Sequence, residues 1–92
     1  MNTTVTTTLN NFEVRKLTDR NLQEYFMIIN NDNRDEVYFC FEKAVKDGWT
    51  DLVNNWESIK EVEIEYTEKE NNFKTYRQVI SFYSPESEDI LV

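Results

Sequence analysis

The stretch VTTTLNNFEVRKLT, residues 5–18, decides the fold that we predict for this chain. It is rich in β-branched residues, which favour strands. Phe12 and Val14 alternate with charged residues, but the alternation changes phase just before them, across Asn10-Asn11. A phase change within a strand indicates a bulge or a bend. The stretch therefore predicts one long first strand that bends at its two asparagines.

Four more segments carry β patterns, and turn-forming Asn, Asp and Gly residues separate them. Residues 24–30 and 36–42 are apolar on both faces, as central strands often are. In the segment 61–68, Glu61, Glu63 and Glu65 alternate strictly with Val62, Ile64 and Tyr66, and residues 75–84 also alternate. These segments predict a middle hairpin and a final hairpin.

The segment between the two hairpins has the periodicity of a helix. Its apolar residues recur at spacings of four, three, four and three, as one helical stripe requires: Val45, Trp49, Leu52, Trp56 and Ile59. We expect Gly48 to interrupt the helix and Thr50 to cap its later part, with Asp51 in the first turn. The pattern predicts a helix over residues 50–58 with both tryptophans in the core.

The predicted order is β-β-β-α-β-β, five strands with one helix between strands 3 and 4. This is the order of an OB barrel, the oligonucleotide/oligosaccharide-binding fold. The final hairpin, VEIEYTEKENNFKTYRQVISF at residues 62–82, resembles the closing hairpin of many OB-fold nucleic-acid-binding domains. In those domains a V-x-V/I-x-Y strand leads through a charged loop into a Lys/Tyr-rich strand. The resemblance implies a mainly β, five-stranded OB-type barrel whose open end the helix would plug.

Length and composition limit the possible classes of protein. Ninety-two residues predict a single OB-like domain, 1–92, with flexible ends at about 1–4 and 85–92. The lone Cys40 cannot form an internal disulfide, and no apolar stretch approaches the roughly 18 residues of a membrane span. We therefore expect a cytoplasmic protein without membrane contact. The net charge of −8, from eighteen acidic and ten basic residues, argues against binding to duplex DNA.

The outer face of strands 2 and 3 is the surface with which OB barrels bind single strands. If residues 30–35 form the turn between these strands, the most apolar side chains should point inward, namely Phe26, Ile28, Val37 and Phe39. The side chains expected to point outward are Tyr25, Met27, Tyr38 and Cys40. The two tyrosines would stack on bases, each contact contributing about 1–3 kcal/mol. A register shift of one residue would invert this assignment, and the same side chains could instead pack beneath the segment before the helix or against a partner chain.

Cations flank this face in the predicted barrel. Arg15, Lys16 and Arg20 lie at the end of strand 1 and in the loop after it. Lys69, Lys74 and Arg77 lie on the other flank, in the loop between strands 4 and 5 and at the start of strand 5. A phosphate backbone that crosses the face needs cations on both sides. The alternative interpretation is that these are scattered solubilising charges.

An acidic strand face supports a second hypothesis. Glu61, Glu63 and Glu65 lie on one side of strand 4, about 6.6–6.8 Å apart, which is near the spacing of backbone phosphates. The simplest interpretation is a solvated outer face. The functional one is an acidic protein-interaction module, either a complex subunit or a nucleic-acid-mimicking inhibitor of a nucleic-acid-binding enzyme. Met27 would contribute an apolar contact, and an outer patch of Tyr25, Met27 and Tyr38 could equally seal a homodimer.

Catalysis finds little support in the sequence. The chain has no His, the commonest general base, and no Gly-rich phosphate loop, Cys–His arrangement or metal-ligand spacing. Alternating glutamates on a flat strand do not converge on one metal ion. We therefore expect a small non-enzymatic binding module without metal or cofactor, which binds single-stranded DNA or RNA weakly.

Overall fold

The computed structural model of the chain describes residues 4–71 and 74–84. Six strands and one helix make up a mainly β structure. Their bounds are β1 Thr4–Leu9, β2 Phe12–Thr18, β3 Glu24–Asn30, β4 Val37–Phe41, α1 Trp49–Asn55, β5 Val62–Asn71 and β6 Lys74–Tyr83. Every segment predicted to be a strand contains one, and the largest difference in bounds is at the end of β5, which was expected to stop at residue 68.

All six strands lie in one sheet, in the order β1-β5-β6-β4-β3-β2. Neighbouring strands are antiparallel, except that β4 and β6 are parallel. β1 and β2 follow each other in the chain yet occupy opposite edges of the sheet. Only two residues separate Leu9 from Phe12, so these edges approach to within roughly 11 Å at one corner. The sheet is therefore strongly curled, although no ladder joins β1 to β2 among the described strands.

The prediction of five strands closed into a barrel is wrong in its strand count and in the closure of the sheet. The bend predicted at Asn10-Asn11 is present, but it is sharp enough to end one strand and begin another. The turn after β3 holds this bend, because the Asn31 backbone N–H donates to the Asn11 carbonyl at 2.9 Å, and Asn11 Nδ2 donates to Asp32 Oδ1 at 3.0 Å. Hydrogen bonds thus connect the bend to the turn after β3 rather than to a neighbouring strand.

The core lies between α1 and the inner face of the sheet. Its buried members are Leu9, Phe26, Ile28, Tyr38, Cys40, Val45, Leu52, Val62, Ile64, Tyr66, Val79 and Phe82. The Phe26 ring contacts both tryptophans, with centroids 5.5 Å from Trp49 and 5.9 Å from Trp56. The prediction that the two tryptophans anchor the helical segment in the core is confirmed, since both pack against the buried cluster.

The helix begins at Trp49 rather than at Thr50, and it ends at Asn55 rather than at residue 58. Gly48 is the N-cap, with φ 93° and ψ 4°, a left-handed conformation that favours glycine. Asp47 pairs with β6, and its carbonyl accepts a hydrogen bond from the Phe82 N–H at 2.9 Å. This pairing brings Gly48 so close to β6 that a Cβ there would lie 1.9 Å from the Phe82 carbonyl oxygen. The predicted cap at Thr50 is wrong because the approach to β6 starts the helix earlier.

The ends of the predicted domain are only partly described. Residues 1–3 and 85–92, which make up most of the expected flexible ends, lie outside the described residues. Thr4, also expected to be flexible, instead starts β1 and pairs with Thr67. The single-domain assignment stays a prediction. Within residues 4–71 and 74–84, no helix has both the length and the apolar character needed to span a membrane.

The substitution Gly48→Ala tests the contact between the start of α1 and β6. The added Cβ would meet the Phe82 carbonyl oxygen at 1.9 Å in a left-handed backbone conformation. We expect a loss of about 2–4 kcal/mol in the free energy of unfolding, measured by urea denaturation. The control Asn54→Ala, at an exposed position of the same helix, should change that free energy by less than about 0.5 kcal/mol. Equal effects of the two substitutions would contradict this role of Gly48.

Candidate functional site

The register between β3 and β4 differs by one residue from the predicted register. Met27 lies beside Phe39 rather than beside Tyr38. The assignment of β3 is confirmed, because Tyr25 and Met27 are partly exposed on the outer face. The assignment of β4 is inverted: Tyr38 and Cys40 are 1% and 0% exposed, whereas Phe39 lies on the outer face. The predicted stacking platform of Tyr25 and Tyr38 is therefore wrong.

Tyr38 is buried because its polar tip has partners within the protein. Its hydroxyl donates a hydrogen bond to the Glu36 carboxylate, which also accepts one from Asn30 Nδ2 at 2.8 Å. The Arg77 guanidinium lies over the Tyr38 ring, 5.6 Å from its centroid, and the Tyr66 ring meets it edge-on at 5.0 Å. Burial and the bond to Glu36 raise the pKa of Tyr38, and the bonds from Tyr38 and Asn30 lower the pKa of Glu36.

A row of four aromatic side chains crosses the outer face of β3, β4 and β6. The Tyr25 and Phe41 rings stack with centroids 5.1 Å apart, and the Phe41 and Phe39 rings stack at 6.2 Å. Tyr76 continues the row, edge-on to Phe39 with centroids 6.3 Å apart. All four rings are partly exposed. We call this set the aromatic row, and it forms a continuous band of ring surface on the side of the sheet opposite α1.

Strand geometry places these rings on one side. Phe39 and Phe41 are two residues apart on β4, so they share a face, and the register sets Tyr25 beside Phe41. On β6, Gln78 lies beside Phe39, which places Tyr76 on the same face. Phe39 was predicted to face the core because it is more apolar than the neighbouring Tyr38, and Phe41 was not assigned to either face.

The spacing between Glu36 and Tyr38 is the feature of the sequence that indicates an inward Tyr38. Glu36 lies two residues before Tyr38, so the carboxylate and the hydroxyl share a face of the strand. The Asn30 N–H also donates to the Glu36 carbonyl at 3.0 Å, which closes the turn and fixes the register. A carboxylate two positions from a tyrosine thus offers a partner for a buried hydroxyl.

Of the three cations predicted on the first flank, Arg15 borders the aromatic row. It lies beside Met27 on the outer face, where its guanidinium forms an ion pair with the Glu13 carboxylate. Arg34 contacts the same carboxylate at 3.1 Å. The bonds from Arg15 and Arg34 lower the pKa of Glu13, so this carboxylate stays charged beside both guanidinium groups.

The other two cations predicted on this flank do not join the row. Lys16 lies beside Phe26 on the inner side of β2, and its Nζ is 2.7 Å from a Glu24 carboxylate oxygen. Arg20 is exposed in the turn between β2 and β3. The expectation that Arg15, Lys16 and Arg20 act together is wrong for Lys16, because adjacent residues of a strand point to opposite faces.

The second flank also differs from the prediction. Arg77 lies over Tyr38 on the inner side and so does not face the aromatic row. Lys74 belongs to β6, but its side chain lies outside the described residues. Lys69 of β5 is exposed beside Tyr76, at the end of the row. Lys69 therefore lies on the second flank, where it was expected, whereas Arg77 does not.

The acidic strand face has the predicted alternation. Glu61 and Glu63 are exposed, Glu65 is partly exposed, and the apolar residues between them are buried. None of the ion pairs among the described residues involves these three side chains. Met27 lies elsewhere, on β3, and two strands stand between β3 and β5 in the sheet. The glutamates and Met27 thus lie on separate parts of the outer face, and their role in protein interaction stays a prediction.

The remaining chemistry of the described residues is limited. Burial raises the pKa of the Cys40 thiol, which keeps it protonated and unreactive. In the described part of the chain, no group of three or more His, Cys, Asp and Glu side chains is arranged to hold a metal ion. The outer face presents aromatic rings with cations beside them. Such a surface suits a ligand in which a planar group is attached to an anion.

Comparisons with protein-family models, with curated proteins and with solved structures found no match to this chain. The functional proposals below therefore depend on the geometry and the charges of the outer face.

The Glu36 carboxylate should make folding stability depend on pH. Its pKa is lowered in the folded protein, so its contribution is present above the ordinary value of 4.5 and is lost as pH falls through the lower folded value. We expect Glu36→Gln to cost about 1–2 kcal/mol of unfolding free energy at pH 7 and less at pH 3, measured by urea denaturation. Asp35→Asn, at the exposed neighbouring carboxyl, is the control. An equal cost for Glu36→Gln at both pH values would rule this contribution out.

Proposed function

We propose that this chain is a small, non-enzymatic OB-type binding module that binds single-stranded DNA or RNA through the aromatic row. The observation that carries the proposal is the continuous contact of its four rings across three strands, with centroid separations of 5.1, 6.2 and 6.3 Å. Unpaired bases present flat faces that stack on such rings, and each stack contributes about 1–3 kcal/mol. Bases inside a duplex do not offer these faces, so the row favours single strands.

The strand order supports the OB-type assignment. If β1 and β2 are counted as two halves of one bent strand, five strands remain, with the helix between the third and the fourth. The two halves lie at opposite edges of the sheet, so one continuous stretch of chain bridges both edges. This is the arrangement of a partly open barrel. The aromatic row then lies on the strand 2 and strand 3 surface, continued onto strand 5.

Charge makes the proposed binding weak. The chain carries a net charge of −8, so long-range repulsion opposes the approach of a polyanion. Arg15 and Lys69 border the row, but Arg15 is already paired with Glu13. Stacking rather than phosphate neutralisation therefore supplies most of the affinity. Cys40 is a free, buried thiol, which agrees with the cytoplasmic location that belongs to this proposal.

Titration of labelled oligo-dT and oligo-U at low salt tests the proposal, with Tyr76→Ala as the variant. Removing the ring at the end of the row should weaken binding about 5- to 150-fold, the equivalent of one lost stack. The matched control is Tyr83→Ala, a 40%-exposed tyrosine seven residues further along the same strand. It should leave the affinity unchanged. The folding of both variants is checked by their unfolding free energies.

Two outcomes would reject single-strand binding through the row. One is no detectable binding of either oligonucleotide by the unmodified protein at about 100 μM, the weak end of non-specific affinity. The other is an equal loss of affinity in Tyr76→Ala and Tyr83→Ala. The second outcome would show that the tyrosines act through general surface properties rather than through the row.

A second candidate function is supported by the acidic face of β5. The Glu63 and Glu65 side chains are outside the ion pairs of the described residues, and Thr6 and Thr8 of β1 lie beside them. A strand of regularly spaced carboxylates suits the basic groove of a nucleic-acid-binding protein. In this alternative the chain is an acidic protein-interaction module, either a complex subunit or a nucleic-acid mimic.

The double charge reversal Glu63→Lys/Glu65→Lys tests this alternative. A stoichiometric protein partner recovered with the unmodified chain from host lysate should be released by the reversal, because repulsion replaces attraction across the interface. The control is Glu42→Lys/Glu57→Lys, which changes the net charge equally at exposed positions away from β5. A partner retained by both double variants would exclude the acidic face as its binding site.

A further inference from the structure

A groove runs beside the aromatic row on the outer face, with a volume of about 450 Å³. One wall is the segment 43–46 between β4 and α1, and the other is formed by β5 and β6 with the start of β1. Its polar lining consists of Lys43, Lys46, Lys69, Thr4, Thr67 and Gln78. We call this the lysine groove.

The charge of the lysine groove is opposite to that of the chain. Lys43, Lys46 and Lys69 are exposed, and no acidic side chain lines the groove. None of the three lysines takes part in the ion pairs found within residues 4–71 and 74–84, whereas Arg15 and Lys16 are paired with glutamates. Three cations with low-dielectric walls on both sides concentrate a positive potential, which attracts anions despite the total of −8.

Backbone hydrogen bonds hold the walls of the groove in place. The N–H groups of Ala44 and Val45 both donate to the Phe41 carbonyl at 2.9 Å, which forms a single turn immediately after β4. The Lys46 N–H donates to the Ile80 carbonyl of β6, also at 2.9 Å. The segment is thus tied to β4 at one end and to β6 at the other, so the backbone that carries Lys43 and Lys46 is fixed.

One polar atom in the groove wall has no partner. Thr67 is 9% exposed, and its Oγ1 makes no hydrogen bond among the described residues. A buried hydroxyl without a partner is uncommon in folded proteins and is a sign of an unfilled interaction. Thr67 also lines the groove, so a phosphate oxygen bound there would offer the missing acceptor.

The groove is continuous with the aromatic row. Lys69 lies beside Tyr76, and Gln78 lies beside Phe39, so two members of the groove wall adjoin two rings of the row. Lys43 follows the last residue of β4 by two positions. A strand whose bases stack on the row would therefore have its sugar-phosphate backbone at this edge of the row.

We propose that the lysine groove binds phosphate groups of the single strand whose bases stack on the aromatic row. This inference rests on the proposed single-strand binding and adds the position of the phosphates to it. Lys43 and Lys46 on one wall and Lys69 on the other neutralise successive phosphates, and the Thr67 hydroxyl donates to one of their oxygens. The sugar-phosphate backbone of the bound strand then lies near the β6 end of the row. It does not lie near β2, where Arg15 is paired with Glu13.

Salt dependence of oligo-dT binding tests the groove with the double variant Lys43→Gln/Lys46→Gln. Each phosphate contact contributes about 0.7 to the slope of log K against log salt for single strands, so losing two should reduce its magnitude by about 1.4. The control Lys16→Gln/Lys60→Gln removes the same number of charges, and Lys16 lies on the inner side of β2. The control should keep the slope of the unmodified protein.

Two further measurements distinguish phosphate binding in the lysine groove from a general effect of net charge. Thr67→Val, which removes the hydroxyl at nearly constant volume, should weaken oligo-dT binding about tenfold while the protein stays folded. Inorganic pyrophosphate is the probe for the groove without bases. It should shift the backbone amide NMR signals of Thr67 and Gln78 in the unmodified protein but not in the double lysine variant.

The outcomes distinguish this inference from the function on which it rests. If Tyr76→Ala still weakens binding but the double lysine variant keeps the original slope, phosphate binding in the lysine groove is rejected and single-strand binding stands. An equal change of slope in Lys16→Gln/Lys60→Gln would also overturn the groove, because only net charge would then matter. If the unmodified protein binds no oligonucleotide, the function and the groove both fail.

Discussion

The burial of Tyr38, whose hydroxyl is bonded to the Glu36 carboxylate, shows which side of β4 faces the core. Side chains alternate along a strand, so an inward Tyr38 places Phe39 and Phe41 on the outer face. There they join rings from β3 and β6 in the aromatic row. The bond also gives a partner to a polar group that would otherwise be costly to bury. The orientation of β4 thus places one tyrosine in the core and two phenylalanines on the outer face.

The distribution of charge matters more for this protein than its total charge. Around Glu13 and Glu24, acidic side chains already engage the cations of β2. The acidic face of β5 and the lysine groove both lie on the outer side of the sheet but collect opposite charges. A polyanion approaching the protein therefore meets repulsion from most directions and attraction beside the aromatic row. Such an arrangement favours selective, salt-sensitive contacts over general adhesion to polyanions.

Much of the fold follows from patterns that a single chain makes visible. The phase change at Asn10-Asn11 located the bend, and the alternation of residues 61–68 located a strand with glutamates outward. The helical stripe placed both tryptophans against the core. These features depend on residues close together in the chain, and local periodicity is informative at that range.

The candidate site was harder to predict because it depends on register, which local periodicity does not determine. The segment Val37–Phe41 is apolar on both faces, so either face could have been buried, and a shift of one residue exchanges them. A second irregularity lies in β6, where pairing steps from Tyr66↔Val79 to Glu65↔Ser81 and leaves Ile80 as an extra residue. This bulge changes which side chains share a face, and the Ile80 carbonyl accepts a hydrogen bond from the Lys46 N–H of the segment before α1.

The sharp bend at Asn10-Asn11 has a consequence for the order in which the chain folds. β2, β3 and β4 pair with near neighbours in the chain, whereas β1 pairs with β5, so residues 4–9 must wait for residues 62–67. Pairing across so long a loop is entropically slow. During synthesis on the ribosome, the middle strands can therefore assemble while the first strand is still without its partner. The last strands to emerge recruit the first one and complete the sheet.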